Sequence, residues 1–116
     1  MLTSYRVLDL TVGADMFCGY LLSHLGAEVI SIRSPQEPSN HPVHPTLGGS
    51  DRSLWWEAYA RGRTHVDLDV WRDRRAFDEL VLGADIVVHG FTDRVAAENG
   101  LAYEVLNDLN PSVIVV

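Results

Sequence analysis

Five short apolar runs punctuate this chain, at residues 7–10, 27–32, 65–68, 84–89 and 113–116, and the segments between them repeat their apolar residues at helical spacing. Strands joined through helices run parallel, and a parallel strand is covered on both faces, so it reads as a nearly unbroken apolar run. The alternation therefore predicts an α/β fold with a mainly parallel sheet and flanking helices. The last run, Val113 to Val116, has nothing after it to lead the chain away. The expectation is that these residues form the N-terminal part of a larger domain.

At 116 residues the chain is one domain at most, and folding would bury roughly two thirds of its unfolded surface. Its 16 acidic residues outnumber the 9 lysines and arginines, for a net charge of −7, and that average field repels polyanions. Nucleic acid is thus an unfavoured partner. No run approaches the roughly 20 apolar residues that cross a bilayer, and Met1 to Ser4 lack the charged start and apolar stretch of a signal peptide. A cytoplasmic protein with no membrane partner is expected. Cys18 is the single cysteine, so an internal disulfide is impossible, and its apolar neighbours mark it as a packing residue.

After the first run a turn at residues 12–14 leads into a helix marked by Phe17, Tyr20, Leu21 and Leu25, with Gly26 placed to end it. A helix of about ten residues suffices for a right-handed crossover to a second parallel strand. Residues 34–50 carry Pro35, Pro38, Pro42 and Pro45 with Gly48 and Gly49, which predicts a Pro/Gly-rich loop or lid. Ser53 can cap a short helix bearing Leu54, Trp55, Trp56 and Tyr59, on which two adjacent tryptophans cannot both face inward. Asp69 is placed to cap the next helix, whose Phe77, Leu80 and Val81 face the core and which Gly83 breaks. Thr92 starts a helix that Asn99-Gly100 terminates, and Ala102, Val105, Leu106 and Leu109 mark one more before Pro111.

Ligands of open parallel sheets collect beyond the carboxyl ends of the strands, which singles out the segments after Leu10, Ile32, Leu68 and Val88. The first of these lacks the spaced glycines of a dinucleotide fingerprint, which disfavours a nicotinamide-dependent oxidoreductase. Asp15 reads as a helix-start acid. His41 and His44 with nearby Asp51 are too few for a metal site, so no metal is expected. His24 reads as a helix-surface residue, and His89, at a strand end, is a possible ligand contact. Arg61 and Arg63 precede the third strand and either hold an anionic ligand or lie on the surface. Arg72, Arg74 and Arg75 read as a solvated helix face paired with Asp73, Asp78 and Glu79.

Several segments in order resemble the class III CoA-transferase family, which includes formyl-CoA and carnitine CoA-transferases and the 2-methylacyl-CoA racemases. They are Val7-Leu8-Asp9-Leu10-Thr11, the stretch from Leu22 to Ile30, and the stretch from Tyr59 to Val70 with its Arg61-Gly62-Arg63 turn. Ala84-Asp85-Ile86-Val87-Val88 with Phe91, then Gly100-Leu101-Ala102-Tyr103 and Leu109-Asn110-Pro111, continue the similarity. The resemblance implies that residues 1–116 are the N-terminal, Rossmann-like segment of a CoA-binding domain, in an enzyme acting on acyl-CoA and carboxylate substrates as an interlocked homodimer. It implies that CoA is transferred between carboxylic acids through an aspartyl intermediate, and that this aspartate lies beyond Val116.

Carried over by position, the resemblance implies CoA contacts at Ala14 in the first loop, at Leu68 and Asp69 beside an adenine pocket, and at Phe91 near the nucleotide. Gly90 adjoins Phe91, and the basic turn adds Arg63 as a candidate phosphate ligand. Asp15 and Glu98 depart from the family pattern by placing carboxylates near the expected phosphates. A racemase-like enzyme and a noncatalytic CoA-fold module supporting a partner chain are the alternatives.

Overall fold

The computed structural model describes residues 1–35 and 45–116. Among these, the strands Arg6–Asp9 (β1), Glu28–Arg33 (β2), Thr64–Asp67 (β3), Ile86–Val88 (β4) and Ile114–Val115 (β5) form one sheet in the order β3-β2-β1-β4-β5. Every neighbouring pair is parallel. Helices Met16–His24 (α1) and Leu54–Tyr59 (α2) share one side of the sheet, and Arg74–Leu82 (α3), Asp93–Glu98 (α4) and Tyr103–Leu109 (α5) belong to the other. The predicted α/β class holds. The strand order reverses between β1 and β4, which makes their carboxyl ends the switch point of a doubly wound sheet.

Alternation along the strands sorts the core into two layers. Leu8, Ile30 and Val87 face Phe77 and Val81 of α3 and Leu106 of α5, all buried. Val7, Val29 and Val88 face the opposite way, against the half-buried Cys18 and Leu22 of α1. Each such large apolar side chain contributes about 1.5–3 kcal/mol on burial. Cys18 is accordingly a packing residue, and burial first, then the charge of Asp9, pushes its thiol above the ordinary range.

Local chemistry accounts for the start of α2 and α4 and the end of α1. The Ser53 hydroxyl accepts from the Trp56 amide at 3.2 Å, and the Thr92 hydroxyl accepts from the Val95 amide at 3.4 Å. Gly26, with φ of +100°, turns the chain out of α1 in a conformation that a side chain would strain. Beyond α5 the buried Asn110 donates to the Val81 and Ala84 carbonyls at 2.9 and 2.8 Å and accepts from Ser112, so it joins the end of α3 to the approach of β5.

Four expectations change. The third helix begins at Arg74, with Asp73 at its cap position, because Asp69 closes a tight turn on Trp71 and Arg72 instead. β4 is shorter than residues 84–89: the Asp85 amide donates to the Arg6 carbonyl and its carbonyl accepts from Ile114, but the Arg6 amide is taken by the Asp85 carboxylate at 2.8 Å in place of a strand carbonyl. On α1 the marker residues do not point at the sheet: Phe17 is 49% exposed, and Leu21 and Leu25 are exposed too. The helix instead buries Met16 and Gly19, where the sheet surface carries Asp9. On α5, Val105 is exposed while Leu106 is buried. The Pro/Gly-rich loop falls largely outside the described residues, His41 and His44 included; at its end Thr46 and Ser53 form an antiparallel bridge.

Candidate functional site

A cleft of about 310 Å³ opens beyond the carboxyl ends of β1, β2 and β3, on the side of α3. Leu10 and Leu68, the first residues past β1 and β3, and Ile32, the next-to-last residue of β2, give it an apolar floor. The turn of residues 69–72 forms one wall, and Phe91, Asn99 and Leu101 form the other. One Asp69 oxygen accepts the amides of Trp71 at 2.8 Å and Arg72 at 3.0 Å. Those two bonds, Arg72 first, hold its carboxyl below the ordinary range, so Asp69 is a fixed anionic acceptor. The Trp71 indole N–H donates to the Asn99 side-chain oxygen at 2.7 Å, which orients a ring that is 59% exposed at the mouth. A flat apolar slot, an acceptor for hydroxyls and the Arg72 guanidinium at one rim suit a nucleotide.

The first loop lies at the switch point rather than in the cleft wall. Residues Gly13–Asp15 make a single 3-10 turn with Ala14 exposed, and a side chain on Gly90 would overlap the Asp15 carboxylate. The loops after β1 and β4 are therefore in contact. The His89 Nδ1 accepts the Phe91 amide at 3.2 Å, and the two rings stack with centroids 5.6 Å apart. That bond requires an imidazole unprotonated at Nδ1.

Arg63 turns inward. Its Nη1 donates to Asp9 at 2.6 Å and to the Ser31 hydroxyl at 3.2 Å, and its Nη2 donates to the Met16 carbonyl at 2.6 Å. The Arg63 and Asp9 side chains are 1% and 0% exposed. Burial pushes the Asp9 carboxyl up, opposed by both Thr11 hydrogen bonds and by Arg63, and burial lowers Arg63 against the pull of Asp9.

A family model described as CoA-transferase family III matches residues 2–116. The chain belongs to CoA-transferase family III. It is 32% identical over 118 residues to succinyl-CoA–D-citramalate CoA-transferase of Chloroflexus aurantiacus, covering 99% of this chain and 29% of that protein. It is 33% identical over 119 residues to succinyl-CoA:mesaconate CoA-transferase of Haloarcula hispanica, covering 97% of this chain and 30% of that one. The crystal structure of a CAIB/BAIF family protein from Brucella suis superimposes with a TM-score of 0.84 at 28% identity, over 98% of this chain and 32% of the other. The chain thus spans about 30% of the length of the curated relatives it matches.

In this family III chain, three residues singled out from sequence, Leu68, Asp69 and Phe91, share the cleft. Ala14 and Gly90 sit beside it at the switch point, and Arg63 is interior. Arg75 pairs with Glu79 on a solvated face of α3, as the helix-face reading expects; Arg74 pairs with Asp78 but turns inward to the Asn99 and Gly100 carbonyls, and Arg72 precedes the helix and lines the cleft. Sequence reasoning missed Trp71, Asn99 and Asp9. The signal for Asp9 was an acid inside an apolar strand, a position that demands a buried partner. Among the described residues no group of three or more His, Cys, Asp or Glu side chains could hold a metal, and no helix is long and apolar enough to cross a membrane.

The histidine after β4 gives the stability of the fold a pH dependence. Burial, against an opposing pull from Asp93, holds the His89 imidazole below its ordinary 6.5. A lowered histidine contributes stability above the unfolded value, and that stability is lost as pH falls from 6.5 toward the folded pKa. The full-length protein should therefore lose thermal stability between pH 7.5 and 5.5 more steeply than its His89→Gln variant. Equal slopes in the two melting series would remove His89 from the pH response.

Proposed function

We propose that this segment cradles the adenosine diphosphate end of CoA in a family III CoA-transferase acting on acyl-CoA thioesters and carboxylate substrates. The observation that carries the reading is the cleft beyond β1, β2 and β3, with Trp71 and Phe91 available to a base, Asp69 to a ribose hydroxyl and Arg72 to a phosphate. Leu68, Asp69 and Phe91 contact the nucleotide, and Ala14 and Gly90 border its path toward the thioester. Arg63 supports the loop from inside rather than meeting phosphate. The chemical step falls to an aspartate outside these residues.

The enzyme works in the cytoplasm as an interlocked homodimer; the exposed Phe17 and Leu21 of α1 and Leu25 just past its end support a covered face there. A noncatalytic CoA-fold module is the second reading, favoured by the Asp15 carboxylate pressed against Gly90 at the switch point. Calorimetric titration of the full-length protein with CoA tests both. Binding should be measurable, and Arg72→Ala should weaken it about tenfold and flatten its salt dependence, as loss of a charge-assisted phosphate contact does. No heat at millimolar CoA would discard the cleft as a CoA site, and native affinity in Arg72→Ala would clear Arg72 of phosphate binding.

A further inference from the structure

Asp9 and Arg63 together hold both ends of the first loop. One Asp9 oxygen accepts the Thr11 amide at 2.8 Å and the Thr11 hydroxyl at 2.5 Å, and the other accepts Arg63 Nη1 at 2.6 Å. Arg63 Nη2 then reaches the Met16 carbonyl at 2.6 Å. Thr11 and Met16 are the residues on either side of the turn that carries Gly13, Ala14 and Asp15. Gly19 lies so close over the pair that any side chain there would overlap the Asp9 carboxylate.

The arrangement is poor as a stability device. A buried ion pair roughly balances its own desolvation and can be replaced by apolar residues at little cost. This one also leaves the buried Arg63 Nε without a partner among the described residues, a further penalty. What an apolar pair could not supply is direction. The planar fork of an arginine can bind a carboxylate with one nitrogen and a backbone carbonyl with the other.

We propose that Asp9 and Arg63 are positioning residues, a clamp that fixes the loop of residues 11–16 against Gly90 and presents it to the ligand at the switch point. The ligand arm of this proposal rests on the CoA reading above; the structural arm does not. Leu10, next to Asp9, and Phe91, next to Gly90, both line the cleft, so loosening the loop disturbs the cleft from both sides.

The test uses the full-length protein with Asp9→Leu/Arg63→Met, which removes the clamp while keeping the site apolar and filled. Amide exchange at residues 11–16 should accelerate by about tenfold or more while Val7, Leu8 and Val87 stay protected, and CoA affinity should fall by about tenfold. Arg63→Lys, which keeps the charge but not the fork, should loosen the same amides and serves if the double variant fails to fold. A merely structural pair would lower the melting temperature of Arg63→Lys without changing exchange in the loop relative to the sheet. Native loop exchange in a folded variant overturns the clamp, as does native CoA affinity with a loosened loop. Should the unaltered protein bind no CoA, the CoA reading fails by itself and the exchange arm still decides the clamp.

Discussion

Arg63→Met alone is expected to destabilise the protein by about 3–5 kcal/mol at neutral pH, the cost of leaving one member of a buried ion pair without its partner. Asp9 is wholly buried and its remaining donors, the Thr11 amide and hydroxyl, contact a single oxygen. The penalty depends on pH with a definite sign. Burial already raises the Asp9 pKa, and Arg63 is one of the groups that lower it, so the substitution raises it further. A raised carboxyl contributes stability below the unfolded value, and that contribution is lost as pH rises through the folded pKa. The gap between variant and unaltered protein is therefore widest near pH 7.5 and narrows toward pH 5. Urea midpoints at the two pH values measure it. A neutral-pH loss below about 1 kcal/mol, the range of an exposed pair, would mean that solvent reaches Asp9.

Phe77→Ala should cost a similar amount, about 3–5 kcal/mol, for a different reason. Phe77 is fully buried in the layer formed by Leu8, Ile30, Leu68 and Val87 on the sheet and by Val81 of its own helix. The Arg74 guanidinium lies 5.1 Å from the ring centroid and closes the outer edge. Removing the ring forfeits its transfer free energy and leaves a cavity that rigid strands cannot collapse to fill. Stabilities of whole domains run about 5–15 kcal/mol, so the variant should unfold at a much lower denaturant concentration. Leu68, which lines the cleft, belongs to the same core cluster, so CoA affinity should also fall. A loss no larger than about 1.5 kcal/mol, the cost of a volume-conserving swap, would show that the layer repacks.

The two cases differ in how readable they were. Phe77, Leu80 and Val81 announce themselves by spacing, because a helix against a sheet must place its apolar residues at i, i+3 and i+4. Leu68 and Asp69 were legible because a strand end is located by the end of an apolar run. Arg63 was legible as a basic turn but not as an interior group, since its direction depends on Asp9, 54 positions away. Asp69 was misread as a helix cap because a capping aspartate and one closing a tight turn have the same local sequence. Trp71 carries no local signal of its place in the cleft, because the partner that orients its indole, Asn99, lies 28 residues on.

The sequence by itself determined the alternation of strands and helices, the core face of α3 and the ends of strands where a ligand can sit, because each follows from periodicity within a dozen residues. Only the tertiary structure decided which charges face inward and which line the cleft. The reason is physical: whether an arginine is a ligand contact or a buried partner depends on the field of groups brought near it by chain reversal, and β3 reaches Asp9 only across β2. Gly19 belongs to the same lesson, as a residue whose missing side chain is explained by a carboxylate from another element.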